Sequence, residues 1–227
     1  FKLKYLFEPQ KGKSFALNQG IKEALGELLV FTDDDVILTD SWIKEILMVD
    51  AKYDFDAFGG RILPVYPENA PKWIAENSDI LSGPIVFYDY GAEIKIYDPK
   101  EMLPIVGANM GIRKKALDEI GLFRTDLGPG AGTFGDDTEL CRRMEAAKKR
   151  IYYCGNVIVR HPVKKERMNL KYFASWAKQQ GRYFVIKASG EARSELVCYY
   201  GVPRYLLKRI TVNVIMLVIK AFSSREF

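Results

Sequence analysis

Apolar and polar positions along this chain follow two different periods. The run Leu28-Leu29-Val30-Phe31 is short, wholly apolar and closed by Thr32-Asp33-Asp34-Asp35-Val36. Such a run predicts a buried strand that delivers its last side chains to the carboxyl edge of a sheet, where ligand sites of open α/β sheets lie. Before it, Phe15 to Leu25 has helical spacing and stops at Gly26, and Lys2 to Phe7 is strand-like. The opening therefore reads strand, helix, strand, the unit of a parallel sheet. The strand-like start is abrupt, and a fragment lacking its N-terminal part is expected.

Beyond the carboxylates, Thr39-Asp40-Ser41 can cap a helix from Trp42 to about Asp50, and Ala57 to Val65 reads as a strand. Residues 66–104 are rich in Pro, Tyr, Asp and Gly and lack long periodicity, apart from a short helix expected over Trp73 to Ile80. Long excursions of this kind tend to be lids or binding loops. Ile105 to Arg113 reads as a strand, Lys114 to Ile120 as a helix ended by Gly121, and Gly128 to Gly135 as a glycine-rich loop. Asp136 with Glu139 matches a capping box at the next helix. Ile151–Cys154 and Val157–Arg160 read as two strands about a Gly155-Asn156 hairpin turn, and Asn169–Lys187 and Pro203–Phe222 as helices. A weak boundary falls near His161.

With 227 residues and 48% hydrophobic content, the chain can bury a sizeable core. Its net charge of +5 is uneven. Residues 1–159 carry 20 Lys+Arg against 25 Asp+Glu, a net of −5, whereas 160–227 carry 14 against 4, a net of +10. The basic part interleaves Tyr172, Phe173, Trp176, Tyr183 and Phe184 with Lys171, Lys178, Arg182 and Lys187. That composition suits an anionic membrane surface or a nucleic acid, and equally a solvated basic face. Val212 to Val218 is too short to span a bilayer. Cys141, Cys154 and Cys198 are few, odd in number and far apart, which argues against a disulfide framework and for a reducing compartment.

Candidate chemistry enters at four places. Asp33, Asp34 and Asp35 repel one another, so a compensating positive charge is expected, a divalent cation or otherwise solvent. Gly12-Lys13-Ser14 lacks the earlier glycine of a phosphate loop, since Phe7 stands there, yet Lys13 near a helix start can still meet an anion. Asn109, beside Gly107 and Ala108, offers an amide to a ligand or serves a turn. Asp137 is a second acid behind a flexible loop, placed to reach a cleft, and His161, the chain's single histidine, follows a strand as a structural residue or a metal ligand.

In order, Glu8 with Gly12-Lys13-Ser14, Ala16 and Asn18, then Gly26-Glu27 and Phe31 to Val36, Gly107-Ala108-Asn109-Met110, Gly135 to Leu140, and His161 resemble the family-2 glycosyltransferases. The likeness runs from Phe7 to Pro162 and rests on the order and spacing of several motifs. It implies an α/β glycosyltransferase A fold, a sandwich around a mostly parallel sheet, over residues 1–162, with 163–227 as a basic helical tail. It also implies inverting transfer of one sugar from a UDP- or GDP-sugar to a saccharide or lipid-linked acceptor. The setting would be cell-surface polysaccharide or glycolipid synthesis at the cytoplasmic face of the membrane, with no nucleic-acid partner.

On this resemblance Asp137 is the base. Lys13, Asn18, Asp33, Asp34 and Asn109 line the donor, Asp136 and Trp73 the acceptor, and Asp35, with Asp33 and His161, a Mn²⁺ or Mg²⁺ ion. The family usually has Glu-Asp where this chain has Asp136-Asp137, which weakens the acceptor role of Asp136. Absence of a Gln-x-x-Arg-Trp motif favours single rather than processive transfer. The family's first strand and base-reading carboxylate would precede Phe1. A metal-dependent nucleotidyltransferase shares the need for clustered carboxylates, and a non-catalytic binding module built on the basic tail is the reading from another class.

Overall fold

The computed structural model describes residues 3–78, 81–131, 134–190, 198–199 and 202–203. Its elements run α1 (Lys13–Glu23), β1 (Leu28–Thr32), β2 (Ile37–Leu38), α2 (Trp42–Lys52), β3 (Ala57–Val65), α3 (Lys72–Glu76), α4 (Ser82–Ile85) and β4 (Ile94–Ile96). They continue with β5 (Asn109–Arg113), α5 (Lys114–Ile120), α6 (Asp136–Ala146), β6 (Ile151–Pro162), a 3₁₀ turn (Lys165–Arg167) and α7 (Leu170–Gly190). The short strands β7 (Cys198–Tyr199) and β8 (Val202–Pro203) pair antiparallel with each other. The helix expected over Pro203–Phe222 lies outside the described residues.

Six strands form one sheet in the order β1-β5-β3-β6-β2, with β4 also on β6. β5 enters between β1 and β3 and runs against both. The β3–β6 ladder is parallel, and β2 and β4 run against β6 along its other side. The class is α/β, as expected, but the sheet is mixed rather than mostly parallel. The cause is the long excursion after β3, which brings the chain back as β5 from the opposite end. β1, β3 and β6 nonetheless share a direction, so β1 and β6 end at the same edge, where β5 begins with Thr32 opposite Asn109.

The core follows from the apolar spacing. Trp42, Ile46 and Val49 of α2 recur at helical intervals and are buried, as are Phe58 and Ile62 of β3, Met110 and Ile112 of β5, and Leu140 and Met144 of α6. A smaller cluster of Ile74, Ile85 and Val163 packs with Tyr66, Phe87, Met168 and Phe173, tying the excursion to the start of α7. The chain divides into two compact units, Phe1–Tyr183 and Phe184–Phe227. Cys141 and Cys154 are buried free thiols. Among the described residues no helix is long and apolar enough to cross a membrane.

Four local expectations give way to other solutions. Residues 3–9 form no strand, and Leu3, Tyr5 and Phe7 are exposed. β1, expected as a buried strand, is only partly covered and pairs among the described residues with β5 alone. Ser41 makes no side-chain cap, and the nearby Thr39 hydroxyl bonds the Ile158 carbonyl instead. The supposed hairpin at Gly155-Asn156 is a bulge inside one long strand. β6 stays in register with β3 up to Gly60 opposite Cys154 and resumes at Arg61 opposite Ile158. Glycine is required there because a Cβ on residue 155 would stand 2.2 Å from the Gly91 carbonyl oxygen.

Candidate active site

The first acid cluster follows β1 directly. Asp33 leaves the strand toward α1 and accepts a hydrogen bond from Lys13 Nζ at 2.5 Å. Lys13 is the first residue of α1. Its backbone N–H is taken by the Pro129 carbonyl, and the buried Ser14 hydroxyl donates to the Leu127 carbonyl. The helix start is thereby roofed by the glycine-rich loop, so the side chain of Lys13, not the backbone amides, carries the positive charge outward. Burial lowers the Lys13 pKa, but Asp33 and then the charges of Asp136 and Asp137 outweigh it and leave it raised. This amine therefore links the two acid clusters that lie far apart in sequence. Asp34 sits exposed on the turn between β1 and β2.

Asp35 turns the other way, toward the end of β6. Its Oδ1 lies 3.6 Å from His161 Nε2 and its Oδ2 2.9 Å from Lys164 Nζ, with Arg167 Nη2 at 4.0 Å from Oδ2. The hydrogen bond from Lys164 holds the Asp35 carboxyl below its usual range against the opposing effect of burial, helped by the charges of His161, Lys164 and Arg167. His161 is 2% exposed, and burial lowers its pKa more than Asp35 raises it. A neutral imidazole beside a carboxylate is a nitrogen/oxygen donor pair that suits a divalent ion such as Mn²⁺. Such ions complete their shell with phosphate oxygens and water. Asp33, also expected on the metal, is engaged by Lys13. Among the described residues no group of three or more His, Cys, Asp or Glu side chains is disposed to hold a metal.

The second cluster opens α6. Gly135 precedes it at φ 98°, with Tyr183 of α7 lying so close that a Cβ would be 2.7 Å from its ring. The expected capping box does not form, because Asp136 is already inside the helix and Glu139 pairs with Arg143. Asp137 is held from two sides: Oδ2 accepts from the Gly107 N–H at 3.1 Å and Oδ1 from the Thr138 N–H at 2.7 Å. Asp137 Oδ2 and Lys13 Nζ would each stand 3.8 Å from a Cβ on Gly107, so base candidate and lysine converge on one spot. Asp136 is 7% exposed; burial, then the charge of Asp137, pushes its carboxyl up to about 6.

Three residues expected at the donor or acceptor have partners within the protein. Asn109 is fully buried, donating to the carbonyls of Arg61 and Val157 and accepting from the Trp42 indole N–H. Asn18 bonds both the N–H and the carbonyl of Phe123. Both amides thus join elements of the fold. Trp73, 40% exposed, stacks edge-on against Phe173 of α7 at 5.7 Å. Conversely, Lys164 and Arg167 were concealed in the sequence among the many cations of a basic tail. Their spacing of three and six residues after His161 is the only signal that set them apart.

This α/β core, with a mixed sheet and acids gathered at one edge, has the glycosyltransferase A fold. A solved structure of GalNAc-T7 with UDP, GalNAc and Mn²⁺ has this fold, with a TM-score of 0.50 and 13% identity over 76% of this chain and 35% of that one. The family model described as glycosyl transferase family 2 matches residues 1–121, and the chain belongs to that family. A curated relative, the succinoglycan biosynthesis protein ExoM of Rhizobium meliloti (strain 1021), is 24% identical over 195 residues, 84% of this chain. The chain spans 59% of the length of that relative. The mannosyltransferase PcManGT of Pyrobaculum calidifontis, solved with GDP-Man and Mn²⁺, aligns over 81% of this chain and 45% of its own at 18% identity and a TM-score of 0.47. Asp136, Asp137 and His161 lie beyond the residues matched by the family model.

Proposed function

We propose that this chain carries the transfer site of an inverting glycosyltransferase that moves one sugar from a UDP- or GDP-sugar to an acceptor hydroxyl. The observation that carries the reading is the convergence of Asp137, in the first turn of α6, and Lys13, bonded to Asp33 after β1, on the backbone of Gly107. Asp137 takes the hydroxyl proton as the acceptor oxygen bonds the anomeric carbon. The sugar–phosphate C–O bond breaks on the opposite face, its electron pair leaves with the nucleoside diphosphate, and the configuration inverts. The N–H groups of Gly107 and Thr138 hold the carboxylate of Asp137 in its orientation, and Lys13 contributes a fixed positive charge beside the anionic donor. Asp35 and His161 would hold a Mn²⁺ or Mg²⁺ ion, which would supply Lewis-acid neutralisation of the donor's diphosphate.

The presence of Mn²⁺ in the GalNAc-T7 complex supports the choice of ion. The identity of ExoM as a succinoglycan biosynthesis protein supports a surface-polysaccharide setting. Action on a lipid-linked acceptor at the inner membrane face is supported by the +10 charge of residues 160–227 alone.

The test is turnover in the full-length protein with a panel of UDP- and GDP-sugars. Asp137→Asn should lower kcat by about a hundred- to ten-thousandfold, the range of a general base, with the donor KM little changed. The released product should be a nucleoside diphosphate. Turnover within a few-fold of wild type would remove Asp137 from the reaction, and release of pyrophosphate would turn the reading to nucleotidyl transfer.

A further inference from the structure

Among the described residues, the basic groups within ion-pair reach of Asp35 are His161, Lys164 and Arg167. They differ in freedom. His161 is buried in β6, whereas the side chain of Lys164 is 54% exposed and extends from a backbone held at both sides. On one side Val163 is buried and its N–H bonds the Val65 carbonyl; on the other, the Arg167 N–H bonds the Lys164 carbonyl in the 3₁₀ turn. Any movement here belongs to the lysine stem, a flexible four-carbon chain ending in a point charge.

We propose that Lys164 is a tethered counter-ion of Asp35 that exchanges with the divalent cation, and that the released ammonium, with Arg167, then turns to the phosphates of the donor. The inference rests on the metal reading above. Lys164 holds Oδ2 at 2.9 Å, so a metal drawing on the same carboxylate meets a like charge already in place and must displace it. An ion pair this open to solvent is weak, which lets the exchange proceed without a large barrier in free energy. The Lys13–Asp33 pair is different in kind. Lys13 also feels Asp136 and Asp137, so it has three acids to hold it in place.

The exchange predicts effects of opposite sign from one substitution, which a merely structural ion pair does not produce. Mn²⁺ binding to the full-length protein is measured from the electron paramagnetic resonance signal of free Mn²⁺, and binding of UDP and GDP in turn, at saturating Mn²⁺, by calorimetry. Lys164→Gln should bind Mn²⁺ alone about fivefold more tightly, the size of a partly exposed ion pair. It should bind the preferred nucleoside diphosphate about tenfold more weakly, the size of one charge-assisted hydrogen bond. Lys164→Arg should stay near wild type in both. Lys165→Gln, which changes net charge equally at a residue outside the Asp35 cluster, should move neither by more than about twofold.

Wild-type binding of Mn²⁺ with equal or weaker binding by Lys164→Gln would overturn the exchange while leaving the metal site standing. So would tighter Mn²⁺ binding with unchanged nucleotide affinity, or an equal response from Lys165→Gln. If neither wild type nor variant binds Mn²⁺ with or without nucleotide, the metal reading itself fails and takes this inference with it.

Discussion

Asp136 shows how one residue can answer to two demands. It stands in the first turn of α6, where a negative charge favours the helix dipole, yet it is 7% exposed and next to Asp137. Burial, then the charge of Asp137, raises its carboxyl from the ordinary 3.8 to about 6, against the pull of Lys13 and backbone N–H groups. An acid whose folded pKa lies above its unfolded one binds a proton on folding between the two values. Its stabilising share is therefore complete below pH 4 and is lost as pH rises through 6. Between pH 4 and 7 the wild type should lose about 2–3 kcal/mol relative to Asp136→Asn, the linkage of a shift near two units. Urea midpoints measured across that range give the comparison. Parallel pH profiles for the two proteins would mean that Asp136 does not titrate in this window.

At the scale of elements, what could be read from sequence was what local spacing determines. α2, β3 and α5 begin at the residues where the sequence places them, and Asp33 to Asp35 do follow a strand directly. The failures have a common cause, which is that distant backbone decides the local form. Gly155-Asn156 has turn chemistry, but residues 91–93 approach β6 so closely that glycine serves contact rather than reversal, and Gly155 N–H bonds the Glu93 carbonyl at 3.1 Å. Asn109 and Asn18 could be marked as polar residues in telling positions, but not as partners of Trp42 and Phe123. The compensation of Asp35 was foreseen as a metal or solvent, and its lysine comes from 129 residues onward. The bulge gives a direct check. Gly155→Ala forces a Cβ to 2.2 Å from one backbone oxygen and 2.6 Å from the Ala92 carbonyl carbon. It should destabilise by about 1–3 kcal/mol, the cost of overpacking, read as a lower urea midpoint at unchanged slope. A hairpin turn would accept the change with little loss, so an unaltered midpoint would restore that assignment.

For the whole molecule, the decisive feature is that every site residue named above falls within the unit Phe1–Tyr183, whereas Phe184–Phe227 forms its own compact unit. A ligand that bridges the two acid clusters must therefore stabilise the first unit as a body, because Lys13, Asp35, Asp137 and His161 come from α1, the turn after β1, α6 and β6. A nucleoside diphosphate with Mn²⁺, at about a hundred times its dissociation constant, adds about 2.7 kcal/mol to the native state. For a unit of this size that corresponds to a rise in Tm of roughly 5–10 °C. Scanning calorimetry of the full-length protein should show the rise in the transition of the first unit. It should require nucleotide and metal together, disappear with a chelator and be absent in Asp35→Asn. A rise of the same size with nucleotide alone would show that the chain's own cations suffice to hold the diphosphate. Asp35 would then be left as a partner of Lys164 rather than of a metal.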